Sequence, residues 1–336
     1  MTYAKAGVDI DRKSSSIAAL VGQLKFKREG LGKPVDLPGH FTGLVDFGDY
    51  ALTLCTDGVG TKLLVAYALG KWDTVGIDCI AMNVNDTICV GAEPIAFVDY
   101  IAIDRPDERI TSEIGKGLEA GAAMSNMTII GGEVAVLPEL VNGFDLAGTC
   151  LGAVRKDRII SGSAIKPGDA LVGLPSSGIH SNGLTLARKI LKKNGIGYKD
   201  RIKGLRRPAG AELLMPTTIY VRHVLDIIDR FEVHGMANIT GGGLRNLIRL
   251  KRGIGFEMDD PIKPQPVFGA LQELGNVTDQ EMYQIFNMGM GYAMVVPEAQ
   301  AAGVVKAAGK GAKVVGRANM KRGITVPALG LKYSQY

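Results

Sequence analysis

Short apolar runs of strand length alternate with amphipathic stretches along most of this 336-residue chain. In the first half the apolar runs predict strands at 51–56, 95–103, 127–130 and 146–154, and the amphipathic stretches predict helices at 14–26, 61–69, 73–90 and 107–125. Such alternation is typical of an α/β domain, in which helices cover a sheet.

The pattern is interrupted once and then starts again. Residues 155–168 are charged and lead into the turn sequence Lys166-Pro167-Gly168-Asp169. We therefore expect two α/β domains, at 1–165 and 166–336, and a hydrophobic content of 46% is enough for two cores. In the second domain the predicted strands are 170–174, 233–239, 255–258, 292–296 and 313–316, and the predicted helices are 184–193, 216–230, 244–250, 267–274, 298–308 and one that opens at a Thr278-x-x-Glu281 capping box.

Composition restricts the classes of function. The net charge of +5 suits acidic small molecules, whereas scattered basic residues and an aromatic content of 6% argue against nucleic acid. The four cysteines form no C-x-x-C pair, which predicts buried thiols in a reducing compartment. Because no secretory leader and no apolar window of about eighteen residues is found, we expect a cytoplasmic protein without a membrane span.

A glycine-containing hexapeptide, Asp57-Gly58-Val59-Gly60-Thr61-Lys62, joins a predicted strand to a predicted helix. Its glycines would let backbone N–H groups approach an anion, and Lys62 brings positive charge where the helix begins. The common phosphate loop has the order G-x-x-x-x-G-K-[ST], whereas here an Asp leads and Thr61 precedes Lys62. This order favours a metal-bridged phosphate. From these residues alone, a tight turn with an exposed lysine is an equal alternative.

Two more acidic corners follow in the first half. Asn85 and Asp86 interrupt an apolar helical pattern just before a sharp corner, and Glu133 follows a double glycine after an apolar run. Carboxylates at three strand or helix ends are suited to Mg²⁺ with a nucleotide phosphate, which makes Asp57, Asp86 and Glu133 the candidate metal ligands. The alternative for the helix is a polar stripe satisfied by the backbone.

The second half contains further corners of small and polar residues. Residues 175–183 include Ser177, His180, Ser181 and Asn182, and residues 240–243 read Thr-Gly-Gly-Gly. Both precede predicted helices, where free N–H groups favour a phosphate. For the first of them, the residues of the loop alone slightly favour the alternative, a well-capped loop with a surface histidine. Residues 25–48 are predicted to form a long loop that acts as a lid.

Together these motifs resemble the phosphoribosylformylglycinamidine cyclo-ligase (aminoimidazole ribonucleotide synthetase) family. The resemblance covers nearly the whole chain, at 3–10, 57–62, 76–86, 91–94, 131–133, 176–183, 240–243, 281–283 and 286–287. It implies two α/β domains with mixed sheets, and a homodimer whose N-terminal sheets join into a barrel while helices cover the C-terminal sheet. It also implies ATP and Mg²⁺ as cofactors and formylglycinamidine ribonucleotide as the substrate.

The implied reaction is ring closure. ATP would phosphorylate the formamide oxygen, and the amidine nitrogen would attack the resulting iminophosphate and expel phosphate. The implied roles are metal ligation by Asp57, Asp86 and Glu133; nucleotide binding by Lys27, Gly58, Gly60, Thr61, Lys62 and Asn85; substrate binding by Ser177, His180, Ser181, Asn182, Thr240, Gly241 and Gly242; and proton transfer by His234. Asp57, Lys62, Asp86 and His234 are the residues expected to act in catalysis.

The chain departs from the family pattern at three positions. Val134 and Val136 stand where the family often has Thr and Glu, and Asn238 stands where a histidine is usual. Related ATP users, the thiamine-monophosphate kinases and selenophosphate synthetases, are alternatives, as is a non-catalytic nucleotide-binding regulator. The first cysteine, Cys55, lies in a predicted strand, which argues against the selenophosphate reaction.

Overall fold

The computed structural model describes residues 10–37 and 40–335, so most of the N-terminal motif at 3–10 lies outside the described residues. The first half contains helices α1 (Ile10–Val21), α2 (Leu63–Leu69), α3 (Val75–Thr87) and α4 (Glu108–Ser125), and strands β1 (Pro34–Val35), β2 (Leu44–Phe47), β3 (Tyr50–Gly58), β4 (Glu93–Ile103), β5 (Thr128–Val136) and β6 (Phe144–Arg155). The strands form one sheet in the order β1-β2-β3-β6-β4-β5, in which only the β4–β5 pair is parallel.

The second half forms another sheet. Its helices are α5 (Leu184–Lys193), α6 (Ala209–Leu213), α7 (Val221–Arg230), α8 (Pro266–Gly275), α9 (Asp279–Ile285) and α10 (Ala301–Ala308), and its strands are β7 (Ala170–Pro175), β8 (Gly235–Asn238), β9 (Gly255–Glu257), β10 (Met290–Val296), β11 (Lys313–Asn319), β12 (Gly323–Val326) and β13 (Leu331–Tyr333). The strand order is β13-β12-β9-β11-β7-β10-β8. The predicted α/β class with mixed sheets is confirmed.

Several element boundaries differ from the sequence prediction. The predicted strand at 127–130 continues to Val136, the predicted helix at 216–230 begins only at Val221, and the predicted helix at 244–250 is a 3₁₀ helix over Gly243–Arg249. The predicted loop at 25–48 contains β1 and β2, and β2 pairs with β3. Part of the expected lid therefore belongs to the first sheet.

Helix α3 lies at the centre of the molecule. It packs against α4 so closely that a Cβ atom on Gly76 would lie 2.3 Å from the backbone nitrogen of Leu118, which only glycine avoids. The same helix contacts strands β3 and β6 of the first sheet and β8 of the second. Side chains on α3 can therefore connect the two halves of the chain.

The other face of the first sheet is open. Side chains alternate between the two faces of a strand, and on β4 Phe97 and Ile101 are buried whereas Val98 and Tyr100 are exposed. Leu54 on β3 is 69% exposed on this open face. Among the described residues, no helix is both long and apolar enough to cross a membrane.

Candidate active site

Asp57 occupies the end of β3 in a row of directly paired residues that runs across the first sheet. The row is Asp57, Gly148, Asp99 and Gly132. Oδ1 of Asp57 accepts a hydrogen bond from the N–H of Gly58 at 2.8 Å, and its side chain is exposed. Asp99 is two residues from Phe97 on β4, so the side chains of this row lie on the same face of the sheet as Phe97. This is the face that the helices cover. The hexapeptide therefore presents its carboxylate at the sheet end nearest α3.

Asp86 on α3 is the second carboxylate at this place. Its Oδ1 accepts a hydrogen bond from Nδ2 of Asn238 at 2.8 Å, and Asn238 ends β8 in the other half of the chain. Burial raises the pKa of Asp86 to about 7, the Asn238 hydrogen bond opposes this rise, and the negative charge of Asp57 adds to it. Two carboxylates close enough to affect each other's ionisation form a site that a divalent cation would stabilise.

Glu133 does not join these two carboxylates. It pairs with Tyr100 on β4, one residue beyond the row that contains Asp57, so its side chain lies on the open face of the sheet. Among the described residues, no three His, Cys, Asp or Glu side chains group closely enough to hold a metal ion. The expectation that Asp57, Asp86 and Glu133 of the same chain form one metal site is therefore wrong. The reason is that β5 continues through Gly132-Glu133 instead of ending there.

Lys62 points away from the exposed loop. Its side chain is completely buried, and Nζ donates hydrogen bonds to Oδ1 of Asp78 at 2.8 Å and to the carbonyl oxygen of Met215 at 2.6 Å. Oδ1 of Asp78 also accepts from the N–H and the hydroxyl of Thr217. Burial lowers the pKa of Lys62, and the charge of Asp78 opposes this effect. The predicted contact of Lys62 with phosphate is absent from this arrangement, in which Lys62 connects the two halves of the chain.

Asn85 has a similar connecting role. Its Oδ1 accepts from the N–H of Tyr220 at 3.0 Å, and its Nδ2 donates to the carbonyl of Thr218 at 2.8 Å. Both partners lie in residues 215–220, which have no regular secondary structure and directly precede α7. Both the amide oxygen and the amide nitrogen of Asn85 thus form hydrogen bonds between the two halves of the chain. The prediction had placed this side chain in the metal shell instead.

The hexapeptide contacts the start of α5, the helix that directly follows the 175–183 loop. The hydroxyl groups of Thr61 and Thr185 form a hydrogen bond of 2.9 Å, which brings the nucleotide candidate residues against the start of α5. Behind this contact, Ser177 Oγ donates to the carbonyl of Pro216, and the hydroxyls of Ser181 and Thr217 lie 3.2 Å apart. The predicted nucleotide and substrate corners are therefore adjacent.

His180 is buried at the base of that loop. Its Nε2 accepts backbone N–H groups from Ser177 at 3.2 Å and Thr218 at 3.4 Å, so the proton of the neutral ring is on Nδ1. Burial lowers the pKa of His180 to about 3, and the charge of Lys62 acts in the same direction. His180 is a neutral anchor of the loop and not the surface histidine of the alternative interpretation.

The glycine triplet lies beside the same loop. A Cβ atom on Gly241 would lie 2.9 Å from Oδ1 of Asn182, and Nδ2 of Asn182 faces the sulfur of Met82 on α3 at 3.9 Å. Thr240 and Gly241 are partly exposed, whereas Gly242 is buried. The structure thus brings Asn182, Thr240 and Gly241 together between the two halves, close to Asn238.

His234 lies away from these residues. Its Nδ1 is 2.6 Å from Asp169 Oδ2 and its Nε2 is 2.9 Å from Glu232 Oε1. It precedes β8, whereas Asn238 ends β8, so the two are separated by roughly 13 Å at about 3.3 Å per residue. Both ring nitrogens have acidic partners at the far end of the strand, so the structure does not bring His234 to the other candidate residues, and its role as proton carrier stays a prediction.

Lys27 is exposed in the segment between α1 and β1, and Gly58 and Gly60 lie in the loop between β3 and α2. The sequence analysis did not select Asp78, Thr217 or Arg249, whose charge lowers the pKa of Asp86. Nη2 of Arg249 donates to the carbonyl of His40 at 2.7 Å. The sequence could have indicated Asp78, because its carboxylate lies within an apolar helical pattern, seven residues before Asn85 and on the same helix face.

A cavity of about 610 Å³ lies elsewhere, between the β6 end of the first sheet and α7. None of the predicted site residues lines it. Two pairs of its charged groups form salt bridges, Arg158 with Asp229 at 2.6 Å and Arg155 with Asp157 at 3.1 Å. This cavity is separate from the candidate active site.

Comparison with known proteins shows the family of this chain. The family model described as AIR synthase related protein matches the chain through its N-terminal domain at residues 39–154 and its C-terminal domain at 166–327. The chain is 52% identical over 318 residues to the phosphoribosylformylglycinamidine cyclo-ligase of Methanococcoides burtonii, with 94% of each chain covered, and 51% identical with the same coverage to that of Methanosarcina acetivorans.

A solved structure shares the fold at much lower identity. AaThiL complexed with AMPPCP and TMP aligns with a TM-score of 0.62 at 16% identity, over 90% of this chain and 93% of that one. At such identity the likeness concerns the fold alone, whereas the relatives above share half of all residues over nearly the full length. The chain therefore belongs to the AIR synthase related family and, within it, to the phosphoribosylformylglycinamidine cyclo-ligases.

Proposed function

We propose that this protein closes the imidazole ring of aminoimidazole ribonucleotide from formylglycinamidine ribonucleotide, using ATP and releasing ADP and phosphate in purine biosynthesis. The observation that carries the proposal is the identity of 52% with a cyclo-ligase over 94% of both chains. The contact of Thr61 with Thr185, at the start of the helix that follows the 175–183 loop, supports it, since phosphoryl transfer requires the two substrates side by side.

Asp57 and Asp86 would hold Mg²⁺. Both supply hard oxygen atoms, and the elevated pKa of Asp86, which the negative charge of Asp57 helps to raise, fits a site that a cation completes. Bound Mg²⁺ would neutralise charge on the transferring phosphate. The backbone N–H groups of Gly58, Gly60 and Thr61 would face phosphate oxygens, because glycine permits such close approach.

The formylglycinamidine ribonucleotide would lie between the two halves of the chain. Asn182, Thr240 and Gly241 are partly exposed there, and Ser177 and Ser181 keep the 175–183 loop in place through Pro216 and Thr217. ATP would phosphorylate the formamide oxygen, the amidine nitrogen would form the new C–N bond at that carbon, and the C–O bond to phosphate would break. With His180 neutral and His234 distant, the chain contributes positioning and charge more than proton transfer.

The assembly would be a homodimer joined through the open face of the first sheet. This face presents apolar side chains to solvent, among them Leu54 and Tyr100. The strand at its edge, β5, exposes Ile130 to 68%. Exposed apolar faces and uncovered edge strands of this kind are rare on monomers. The four cysteines are free and buried, which fits a reducing, cytoplasmic compartment.

Substrate dependence tests this function against its relatives. Hydrolysis of ATP should be stimulated by formylglycinamidine ribonucleotide and not by thiamine monophosphate or selenide. The reverse pattern would assign the chain to another ATP-dependent activity of the same fold. Cys55 and the other cysteines are buried, with pKa values raised by burial, which gives selenide chemistry no reactive thiolate among them.

A further inference from the structure

Positive charge is concentrated in one segment of the chain. Residues 188–207 contain nine Lys and Arg residues and one Asp, a net charge of +8, whereas the whole chain carries +5, so the remainder is net negative at −3. The expectation that basic residues are scattered is wrong for this segment. We call it the basic strip; its members are Arg188, Lys189, Lys192, Lys193, Lys199, Arg201, Lys203, Arg206 and Arg207.

The basic strip is ordered and mostly without acidic partners. Nε of Arg188 donates to the hydroxyl of Tyr198 at 3.1 Å, which ties the following loop to α5, and Arg201 and Pro208 form a β-bridge. Of its cations only Arg207 forms a salt bridge within the described residues, with Glu212. Four of its lysines are exposed, two on α5 and two in the loop that follows: Lys189, Lys192, Lys199 and Lys203.

The basic strip begins next to the candidate active site. Thr185, which contacts Thr61, lies on the same face of α5 as Lys189 and Lys192, four and seven residues further on. At 1.5 Å per residue, Lys189 is about 6 Å along the helix axis from this contact, within the screening length of about 8 Å at physiological salt. Helix α6, which directly follows the basic strip, packs against α2, since a Cβ atom on Gly210 would lie 2.7 Å from Cδ1 of Leu69.

The site itself would repel its substrates. It presents the carboxylates of Asp57 and Asp86, whereas a nucleotide carries several negative charges, so an approaching nucleotide needs positive potential nearby. A nucleic acid surface fits less well, because Tyr198 is the one aromatic residue of the basic strip and its hydroxyl is engaged by Arg188. A membrane surface fits less well too, because the apolar residues Ile190 and Leu191 are buried.

We propose that the basic strip guides phosphate-bearing substrates to the active site by long-range attraction. The nature of these anions, ATP and a ribonucleotide, rests on the proposed function. The alternative is a merely solvated surface, in which Lys192 and Lys193 stabilise the C-terminal end of α5. Guidance predicts an effect on association rates, whereas a solvated surface predicts none.

The test compares two variants of equal charge. The first carries Lys189→Gln, Lys192→Gln, Lys199→Gln and Lys203→Gln; the matched control carries Lys306→Gln, Lys310→Gln, Lys321→Gln and Lys332→Gln. The control lysines are exposed, and two of them lie beside or within β12 and β13, at the opposite edge of the second sheet from β8. A variant with only the two loop substitutions, Lys199→Gln and Lys203→Gln, serves if the helix substitutions impair folding.

Stopped-flow fluorescence would measure association of the N-methylanthraniloyl derivative of ATP, with Mg²⁺, at increasing ionic strength. We expect the first variant to associate about tenfold more slowly than wild type at low salt, with the difference vanishing at high salt. The control should follow wild type. The kcat/KM for the ribonucleotide, measured in the same series, shows whether guidance extends to the second substrate.

Two results would overturn the proposal: no slowing of association in the first variant, or equal slowing in both variants. Loss of binding to RNA or to an acidic protein in a first variant that associates normally would assign the basic strip to that partner instead. The failure of the proposed function looks different: the protein would then form no imidazole product, while nucleotide association still depended on the basic strip.

Discussion

Asn238 Nδ2 donates a hydrogen bond to Asp86 Oδ1 at 2.8 Å and thereby connects strand β8, in the second half of the chain, to helix α3 in the first half. The bond fixes the orientation of a carboxylate that we propose as a ligand of Mg²⁺, and its donor does not change charge with pH. Outer partners of this kind orient metal ligands in many proteins. Asn238 is a positioning residue in this description.

The variant Asn238→Ala should weaken the Mg²⁺ dependence of nucleotide binding. Loss of the hydrogen bond frees the Asp86 carboxylate and removes an interaction that favours its charged form. We expect roughly a tenfold to hundredfold loss in apparent Mg²⁺ affinity, measured by calorimetric titration of a non-hydrolysable ATP analogue at several Mg²⁺ concentrations. Asn238→His, which keeps a donor, should retain part of the affinity. Equal affinity of Asn238→Ala and wild type would remove Asn238 from the site.

The buried ion pair of Lys62 and Asp78 should contribute to stability. In Lys62→Met the carboxylate of Asp78 stays buried without its cation, and breaking such a pair costs about 3–5 kcal/mol. The measurement is urea unfolding of Lys62→Met, Asp78→Asn and the double variant. We expect the double variant to be less destabilised than the sum of the two single ones. Strict additivity would show that the pair is not coupled.

Acid should destabilise the protein partly through His180. Its pKa is about 3 in the folded protein against 6.5 in the unfolded chain, so protons bind preferentially to the unfolded state below pH 6.5. The contribution is complete above pH 6.5 and is lost as pH falls towards 3, at up to about 1.4 kcal/mol per pH unit. Unfolding free energies of wild type and His180→Asn should converge with falling pH. His223→Asn, at an exposed position of α7, is the control and should run parallel to wild type.

A charge on the open sheet face should disrupt the proposed dimer. Leu54→Arg places a cation at the centre of the apolar face, and we expect sedimentation velocity to show a monomer at concentrations where wild type is dimeric. Met320→Arg changes a residue that is also well exposed but lies next to the second sheet, and it should leave the dimer intact. A wild-type monomer, or a dimer in Leu54→Arg, would contradict the proposed interface.

The sequence predicted which residue types matter on α3 but not what they contact. Asn85 and Asp86 were recognised as unusual in an apolar helix, yet their partners Tyr220 and Asn238 are more than 130 residues away. Local periodicity cannot encode such pairing. The same long-range bonds explain why the predicted helix at 216–230 starts late: the backbone of Thr217 and Thr218 is committed to Asp78, Asn85 and His180.

The glycines before Glu133 show the opposite error. They were interpreted as the end of a strand, whereas β5 continues through them. Position 132 requires glycine because the side chain of Asp99 occupies the space that a larger residue there would need. The structural reason for the glycine lies on a neighbouring strand. A strand-end signal and a close-approach signal look identical in sequence.

Product stoichiometry tests the central claim most directly. Wild-type protein incubated with ATP, Mg²⁺ and formylglycinamidine ribonucleotide should form one ADP and one phosphate per imidazole ring. Asp57→Asn should fold normally and lose at least about a hundredfold in turnover. ATP hydrolysis without imidazole formation, or near-normal turnover by Asp57→Asn, would contradict the account of this site.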